Sequence, residues 1–360
     1  MDNKTFIQLV CLGIGHDVDA VSEAINWSEI KSLADKHALS AVVLDGVDRL
    51  MKEGRMPSSW AMDNNFKMQW IGSVLKNYEF RYNQYRKAIS EMAGFYSSHG
   101  YKMMVLKGFS CSMTWPRPEH RPCGDIDIWQ FGDYKECDAI LVAEKGIKVD
   151  DSHHHHTVSQ WRGFMVENHY DFINVHSNIE NKELESILKD LGNDDTHYTE
   201  VLGERVYLPS PNLNALFLLR HALAHFAAEK VTLRQLLDWG FFIEKHGHEV
   251  EWNMCSEIID RFRMRKFFNY INAICVEDLG FDSASFPDYT IEKAVKERIL
   301  NDILDPEFVG DMPSNLVPRV IFKYRRWQAN SWKQKICYDE NRLKAFFVSV
   351  WSHLLKPSSI

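Results

Sequence analysis

Apolar positions along the chain change their period twice, and the changes mark out three stretches. Over about the first 99 residues they recur at helical spacing. WSEIKSLADKHAL and AVVLDGVDRLMKEG carry that spacing, and MPSSW closes the second with a turn. From Phe66 the positions Phe66, Trp70, Val74, Tyr78, Tyr82, Tyr85, Ile89, Met92 and Tyr96 recur every three or four residues, which keeps them on one stripe and predicts a long helix with that stripe in a core. The pattern breaks at Ser97-Ser98-His99-Gly100. Beyond it YKMMVLKG and GDIDIWQ read as short apolar strands, 133–145 as a helix, 156–161, 163–169 and 205–208 as strands, and 181–191 as a helix between the last two. The short links suit antiparallel hairpins. Ser210-Pro211 then reads as a helix start, because serine caps free amides and proline lacks only an amide that would be unpaired there. PNLNALFLLRHALAHFAAE, TLRQLLDWGFFIEKH, WNMCSEIIDRFRMR and KFFNYINAICVEDLG follow as helices, with more expected up to the C-terminus. The expected organisation is α+β: a helical region over 1–99, a mixed core over 100–210 and a helical domain over 211–360.

Composition narrows the function classes. With 360 residues, 45% of them hydrophobic, the chain has ample material for a core. Lys plus Arg is 42 against 50 Asp plus Glu, a net charge of -8, so there is no global basic field to hold a long nucleic acid or an anionic membrane. No run approaches the roughly 18 apolar residues needed to span a bilayer, and the N-terminus does not read as a signal peptide. The seven cysteines (11, 111, 123, 137, 255, 275 and 337) are scattered without a CxxC pair, which argues against a disulfide framework or a thiolate zinc site. The expectation is a soluble, cytoplasmic protein.

Candidate chemistry concentrates in VLKGFSCSMTWPRPEHRPCGDIDIW, residues 105–129. Asp125 and Asp127 sit two apart at the start of an apolar strand, so their side chains share a face. Gly124 before them allows a ligand close approach. Two carboxylates so placed can seat Mg²⁺, which takes hard oxygen ligands and keeps positions open for phosphate. Taken alone, a DxD is more often a charged strand end in solvent. Its surroundings shift the balance: Lys107, Gly108 and Ser110 supply a cation, a flexible residue and a hydroxyl, and Arg121 adds a bidentate phosphate donor. Each basic residue by itself would read as an ordinary surface ion-pair partner. Two-metal phosphoryl or nucleotidyl transfer also calls for a third carboxylate from a neighbouring strand. Glu167 in FMVENHYDF is the candidate, and alternation puts it on one face with His169, as on a strand lining a polar cleft.

The run LKG, an arginine four before the first aspartate of GDIDI, VENHYDF some forty residues on, and HALAHF followed by TLRQLLDWGFFI resembles the uncharacterised bacterial nucleotidyltransferase family of the polymerase-β-like nucleotidyltransferase superfamily. The resemblance covers roughly residues 25–280. It implies a small mixed nucleotidyltransferase sheet with packed helices, flanked by all-helical regions. It further implies Asp125, Asp127 and Glu167 as the catalytic, metal-binding carboxylates for Mg²⁺ or Mn²⁺, and a nucleoside triphosphate attacked at its α-phosphorus with release of pyrophosphate. Lys107, Gly108, Ser110, Arg121 and Gly124 are the candidate nucleotide-binding residues. The superfamily's usual Gly-Ser pair appears here as Gly108-Phe109-Ser110, a departure at the phosphate-binding turn. ATP, giving AMP, is the commonest donor in such reactions; nothing in the sequence reads the base or the acceptor, which would be a hydroxyl or a phosphate.

The remaining signals are open. His221 and His225 lie four apart on a helix, where they either line the cleft or pack in a hydrogen-bonded core. His153–His156 reads as an exposed loop able to take up adventitious Ni²⁺ or Zn²⁺. The basic stretch at 321–335 reads as a solvated helix face. Two other function classes use the same residues: a nucleotide-binding or protein-interaction module of antitoxin type without turnover, favoured by the altered turn, and a metal-dependent phosphohydrolase with water as acceptor.

Overall fold

A computed structural model describes residues 3–338 except 23, 176–179, 229, 309 and 311–312. Helices expected beyond residue 338 lie outside the described residues. The architecture is α+β, one six-stranded mixed sheet among many helices. No helix among the described residues is long and apolar enough to cross a membrane. The described residues form two compact units, one of those up to residue 70 together with those from 218 on, the other of those between 71 and 217.

The first unit is helical. Asn26 caps the helix Trp27–Lys36 by accepting from the amides of Ser28 and Glu29 at 3.2 and 3.3 Å, and Thr232 with Gln235 forms a capping box on Leu233–His246. The helices Asn3–Gly13 and Ser40–Lys52 cross closely because each presents a glycine: a Cβ on Gly46 would lie 2.2 Å from the Leu9 carbonyl oxygen. Lys333, in the basic stretch 321–335, is fully buried, with its ammonium 2.5 Å from Asp302 Oδ2, so that stretch is not a uniformly solvated face.

The second unit holds the sheet. Its strands are β1 (Met104–Val105), β2 (Ile126–Trp129), β3 (His156–Trp161), β4 (Phe164–His169), β5 (Tyr198–Val201) and β6 (Glu204–Tyr207), in the order β3-β4-β2-β1-β6-β5. β3–β4 and β5–β6 are antiparallel hairpins, and each turns on two residues at positive φ, Arg162-Gly163 and Leu202-Gly203, as tight two-residue hairpins require. β2 runs parallel to β4 and antiparallel to β1. The long aromatic stripe forms as expected, but as two α-helical segments, Asn64–Val74 and Arg81–Ser98, joined by a π-helical stretch over Leu75–Phe80. Its later part, Tyr82, Tyr85, Ile89, Met92 and Tyr96, packs with Ile126, Ile128 and Val166 in one apolar cluster on one face of the sheet.

That face division positions the chemistry. Ile126, Ile128, Val166 and Asn168 point one way, so Asp127, Glu167 and His169 must point the other. A polar tie on the packed face holds the register: Asn168 donates to Gln130 Oε1 at 2.7 Å and to Asp138 Oδ1 at 2.9 Å, and Thr157 donates to Asp138 Oδ2 at 2.8 Å. A slip of one residue would bury the acids and expose the apolar set.

Candidate metal and phosphate site

Strand register assembles the site. Asp127 on β2 is the direct partner of Glu167 on the parallel β4, and His169, two residues along β4, is the partner of His156 on β3. One ligand atom from each of Asp127, Glu167 and His169 falls within a group no more than 4.8 Å across. His169 Nε2 lies 3.1 Å from Asp127 Oδ1 and 3.7 Å from Glu167 Oε2, while its Nδ1 donates to the Asp171 carbonyl at 3.2 Å, which fixes the ring. Lys107, two residues beyond β1, places Nζ 2.7 Å from the same Asp127 oxygen and 5.8 Å from the centroid of Phe217.

The turn from β1 is shaped by Gly108, at φ 64° and ψ -95°. A Cβ there would meet Tyr85 Oη at 2.4 Å. That hydroxyl donates to the Asp125 carbonyl at 2.7 Å, and Arg81 Nε donates to the Cys123 carbonyl at 3.0 Å, so the helix Arg81–Ser98 anchors the approach to β2. Phe109, the residue inserted between Gly108 and Ser110, is buried in the core and stacks on Tyr82 with centroids 6.4 Å apart. The insertion serves packing.

Electrostatics in this pocket balances burial against pairing. Burial opposes the charge on Asp127, but Lys107 and the hydrogen bond from His169 outweigh it and hold the carboxyl far below the usual range. Burial likewise opposes the Lys107 ammonium, and Asp127 reverses that, raising its pKa. For Glu167, burial is overcome chiefly by the His169 hydrogen bond, and its carboxyl is held low. His169 is raised, since its bonds to Asp127 and Glu167 exceed the cost of burial. Asp125 moves upward, by burial and then by the neighbouring Asp127. Burial pushes His155 down to about 3 and His156 to about 4, so both imidazoles are neutral at pH 7.

Among the residues expected from the sequence, Asp127, Glu167, His169 and Lys107 come together. Asp125 lies just ahead of β2, near enough for the charges of Asp127, Lys107 and Glu167 to act on it, but it is not part of the close ligand group. Ser110 Oγ donates to the Leu106 carbonyl at 2.9 Å. Arg121 is 5% exposed and donates to the Pro122 carbonyl at 3.1 Å. Around Gly124 no atom would come within 4 Å of a Cβ, so its approach is open. His221 and His225 stack edge to face, centroids 4.4 Å apart, on the part of the helix Pro211–Ala228 that belongs to the first unit. The sequence reading missed two contributors. Tyr85 is one, hidden within the aromatic stripe. The other is the histidine run, which is not simply an exposed loop: His153 is exposed, but His156 is buried and begins β3.

A mixed sheet that sets carboxylates from adjacent strands beside a lysine and a histidine defines a class of site suited to cation-assisted phosphate chemistry. The chain belongs to a family described as "Uncharacterised nucleotidyltransferase", whose model matches residues 23–280. None of the curated proteins and none of the solved structures compared with it matches.

Proposed function

We propose that the chain is a metal-dependent nucleotidyltransferase of polymerase-β-like type, moving a nucleoside monophosphate, AMP in the commonest case, from a triphosphate to a hydroxyl or phosphate acceptor with release of pyrophosphate. The observation that carries the reading is the register pairing of Asp127 with Glu167, which gathers two carboxylates and the His169 imidazole within 4.8 Å. Two hard oxygen donors suit Mg²⁺, and the added imidazole suits Mn²⁺ at least as well. Asp127 and Glu167 would hold the cation, with Asp125 at its edge. A cation bound there supplies Lewis-acid neutralisation of phosphoryl oxygens.

The chain's own residues divide the remaining work. Lys107 is charged, and its flexible stem carries an ammonium that can pair with phosphate as readily as with Asp127. Gly108 keeps the turn narrow, and Gly124, Ser110 and Arg121 border the triphosphate. Glu167 helps draw the proton from the acceptor oxygen. His169 steadies both carboxylates through the Asp171-anchored ring.

The Lys107–Asp127 ion pair, which already neutralises the central carboxylate, favours the second reading of a nucleotide-binding module without turnover. One experiment separates the two: calorimetric binding of a nucleoside triphosphate panel with Mg²⁺ or Mn²⁺, together with pyrophosphate release across candidate acceptors. For Asp127→Asn with Glu167→Gln the transferase reading expects loss of metal-dependent binding and a fall in turnover of more than about a hundredfold. Binding without pyrophosphate release selects the module. Orthophosphate release from the triphosphate, or binding untouched by the double substitution, overturns the transferase reading.

A further inference from the structure

Beside the carboxylates stands a second cluster, of which the proposed nucleotidyl transfer uses only His169. His155, His156 and His169 each place one ring nitrogen within a group no more than 4.8 Å across. The rings approach at 4.4 Å (His155 to His156), 5.3 Å (His156 to His169) and 5.6 Å (His155 to His169) between centroids. The loop that presents them is tied down: the His155 carbonyl accepts from the amides of Tyr170 and Asp171 at 3.0 and 3.1 Å, and Tyr170 Oη donates to the His153 carbonyl at 2.9 Å. Nδ1 of His155 and Nδ1 of His156 are both buried without a hydrogen-bond partner among the described residues. Buried polar atoms of native proteins are nearly always satisfied, and a bound ion is one of the few ways to satisfy two neutral imidazoles at once.

We propose that His155, His156 and His169 bind a borderline transition-metal ion of the Zn²⁺ class, in an imidazole seat that adjoins the hard-oxygen seat of Asp127 and Glu167 and shares His169 with it. Imidazole ligands select such ions over Mg²⁺. A tetrahedral zinc with Zn–N near 2.0–2.1 Å sets its ligand atoms about 3.3 Å apart, so a group within 4.8 Å closes by small ring rotations. Nδ1 of His169 is engaged with the Asp171 carbonyl, the usual arrangement behind a metal-binding imidazole, so its contribution is Nε2, which would exchange its 3.1 Å contact with Asp127 Oδ1 for the ion. Glu167 Oε2, 3.8 Å from His156 Nδ1 and 3.7 Å from His169 Nε2, stands where a fourth ligand would come from. The proposal does not depend on nucleotidyl transfer.

The test is zinc binding by the full chain after chelator stripping, titrated against a chromogenic chelator, with zinc-edge X-ray absorption on the loaded native protein. The expected result is one tightly held Zn²⁺ per chain with three imidazoles in its first shell. His155→Gln or His156→Gln should weaken binding by more than about a hundredfold, a larger effect than loss of an outer partner, while His153→Gln leaves it unchanged. The absorption spectrum needs no variant, so a folding defect in either substitution cannot mask the answer. Absence of tight zinc, a shell with a single imidazole, or a loss that follows His153→Gln and not His155→Gln would overturn the proposal.

Discussion

Gly108 offers a stability measurement that reaches directly into the candidate site. Gly108→Ala meets two separate penalties. The backbone sits at φ 64° and ψ -95°, where an L side chain costs about 1–2 kcal/mol. The new Cβ would also lie 2.4 Å from Tyr85 Oη, on a ring that is fully buried and cannot simply swing away. Relief of that clash must sacrifice the 2.7 Å hydrogen bond from Tyr85 to the Asp125 carbonyl, worth about 1 kcal/mol, and disturb packing around it. The substitution should therefore destabilise by about 2–4 kcal/mol. Tyr85→Phe alone should cost about 1 kcal/mol through the lost hydrogen bond. With the hydroxyl gone, the nearest remaining ring atom is Cζ at 3.4 Å, an ordinary contact, so Gly108→Ala in that background should cost only the backbone share of about 1–2 kcal/mol. Urea unfolding of the four proteins, followed by tryptophan fluorescence, gives the coupling. A value of about 1 kcal/mol or more supports the geometry; additivity to within about 0.5 kcal/mol refutes it, because the two positions would then not be in contact.

Strand and helix positions in the second unit were legible where side-chain alternation was strong. β2, β3 and β4 fall at or within a residue or two of the expected ranges because buried Ile126 and Ile128 flank a polar Asp127, and buried Phe164 and Val166 alternate with the exposed Met165 and the polar Glu167. β5 was not legible: its residues Tyr198–Val201 are largely exposed at the sheet edge, so burial imprinted little pattern on them. Nor does periodicity reveal which layer a buried stripe serves. The aromatic positions from Tyr82 to Tyr96 state that a helix has an apolar face; that the face covers Ile126 and Val166 is a tertiary fact.

The same limit governs the site. Asp127, Glu167 and His169 on a common face follow from alternation, but their proximity depends on β2 and β4 being parallel neighbours, a non-local pairing that local spacing does not encode. Lys107 looked like a phosphate ligand because its sequence neighbours are Gly108 and Ser110. In the fold its ammonium rests on Asp127, twenty residues on, because the antiparallel β1–β2 pair brings the strand ends together. His153–His156 looked solvated because four polar residues in a row usually are. Backbone bonds from Tyr170 and Asp171 to the His155 carbonyl turn the end of the run inward, and only the β3–β4 register creates them.

Two further predictions concern the first unit, both read from unfolding free energy. His37 is 1% exposed and accepts from the Leu233 amide at 3.3 Å through Nδ1; burial lowers its pKa to about 4, below the ordinary value of 6.5. Since the unfolded chain takes up this proton first as pH falls, the neutral imidazole's contribution is complete above about pH 6.5 and is lost down to about pH 4, for a total of about 3 kcal/mol. His37→Gln should flatten that acid limb, and an unchanged pH profile would refute the assignment. Lys333 and Asp302 are 0% and 1% exposed in their side chains, with charged atoms 2.5 Å apart. Removing one partner strands the other's charge in a medium that cannot solvate it, so Lys333→Met should cost about 3–5 kcal/mol. Replacing both, Lys333→Met with Asp302→Leu, removes the stranded charge along with the pair and should recover most of that loss. If the double substitution is as unstable as the single one, the stranded-charge account is wrong, and the contact of the Lys333 ammonium with the Phe226 and Trp332 rings is what the single substitution destroys.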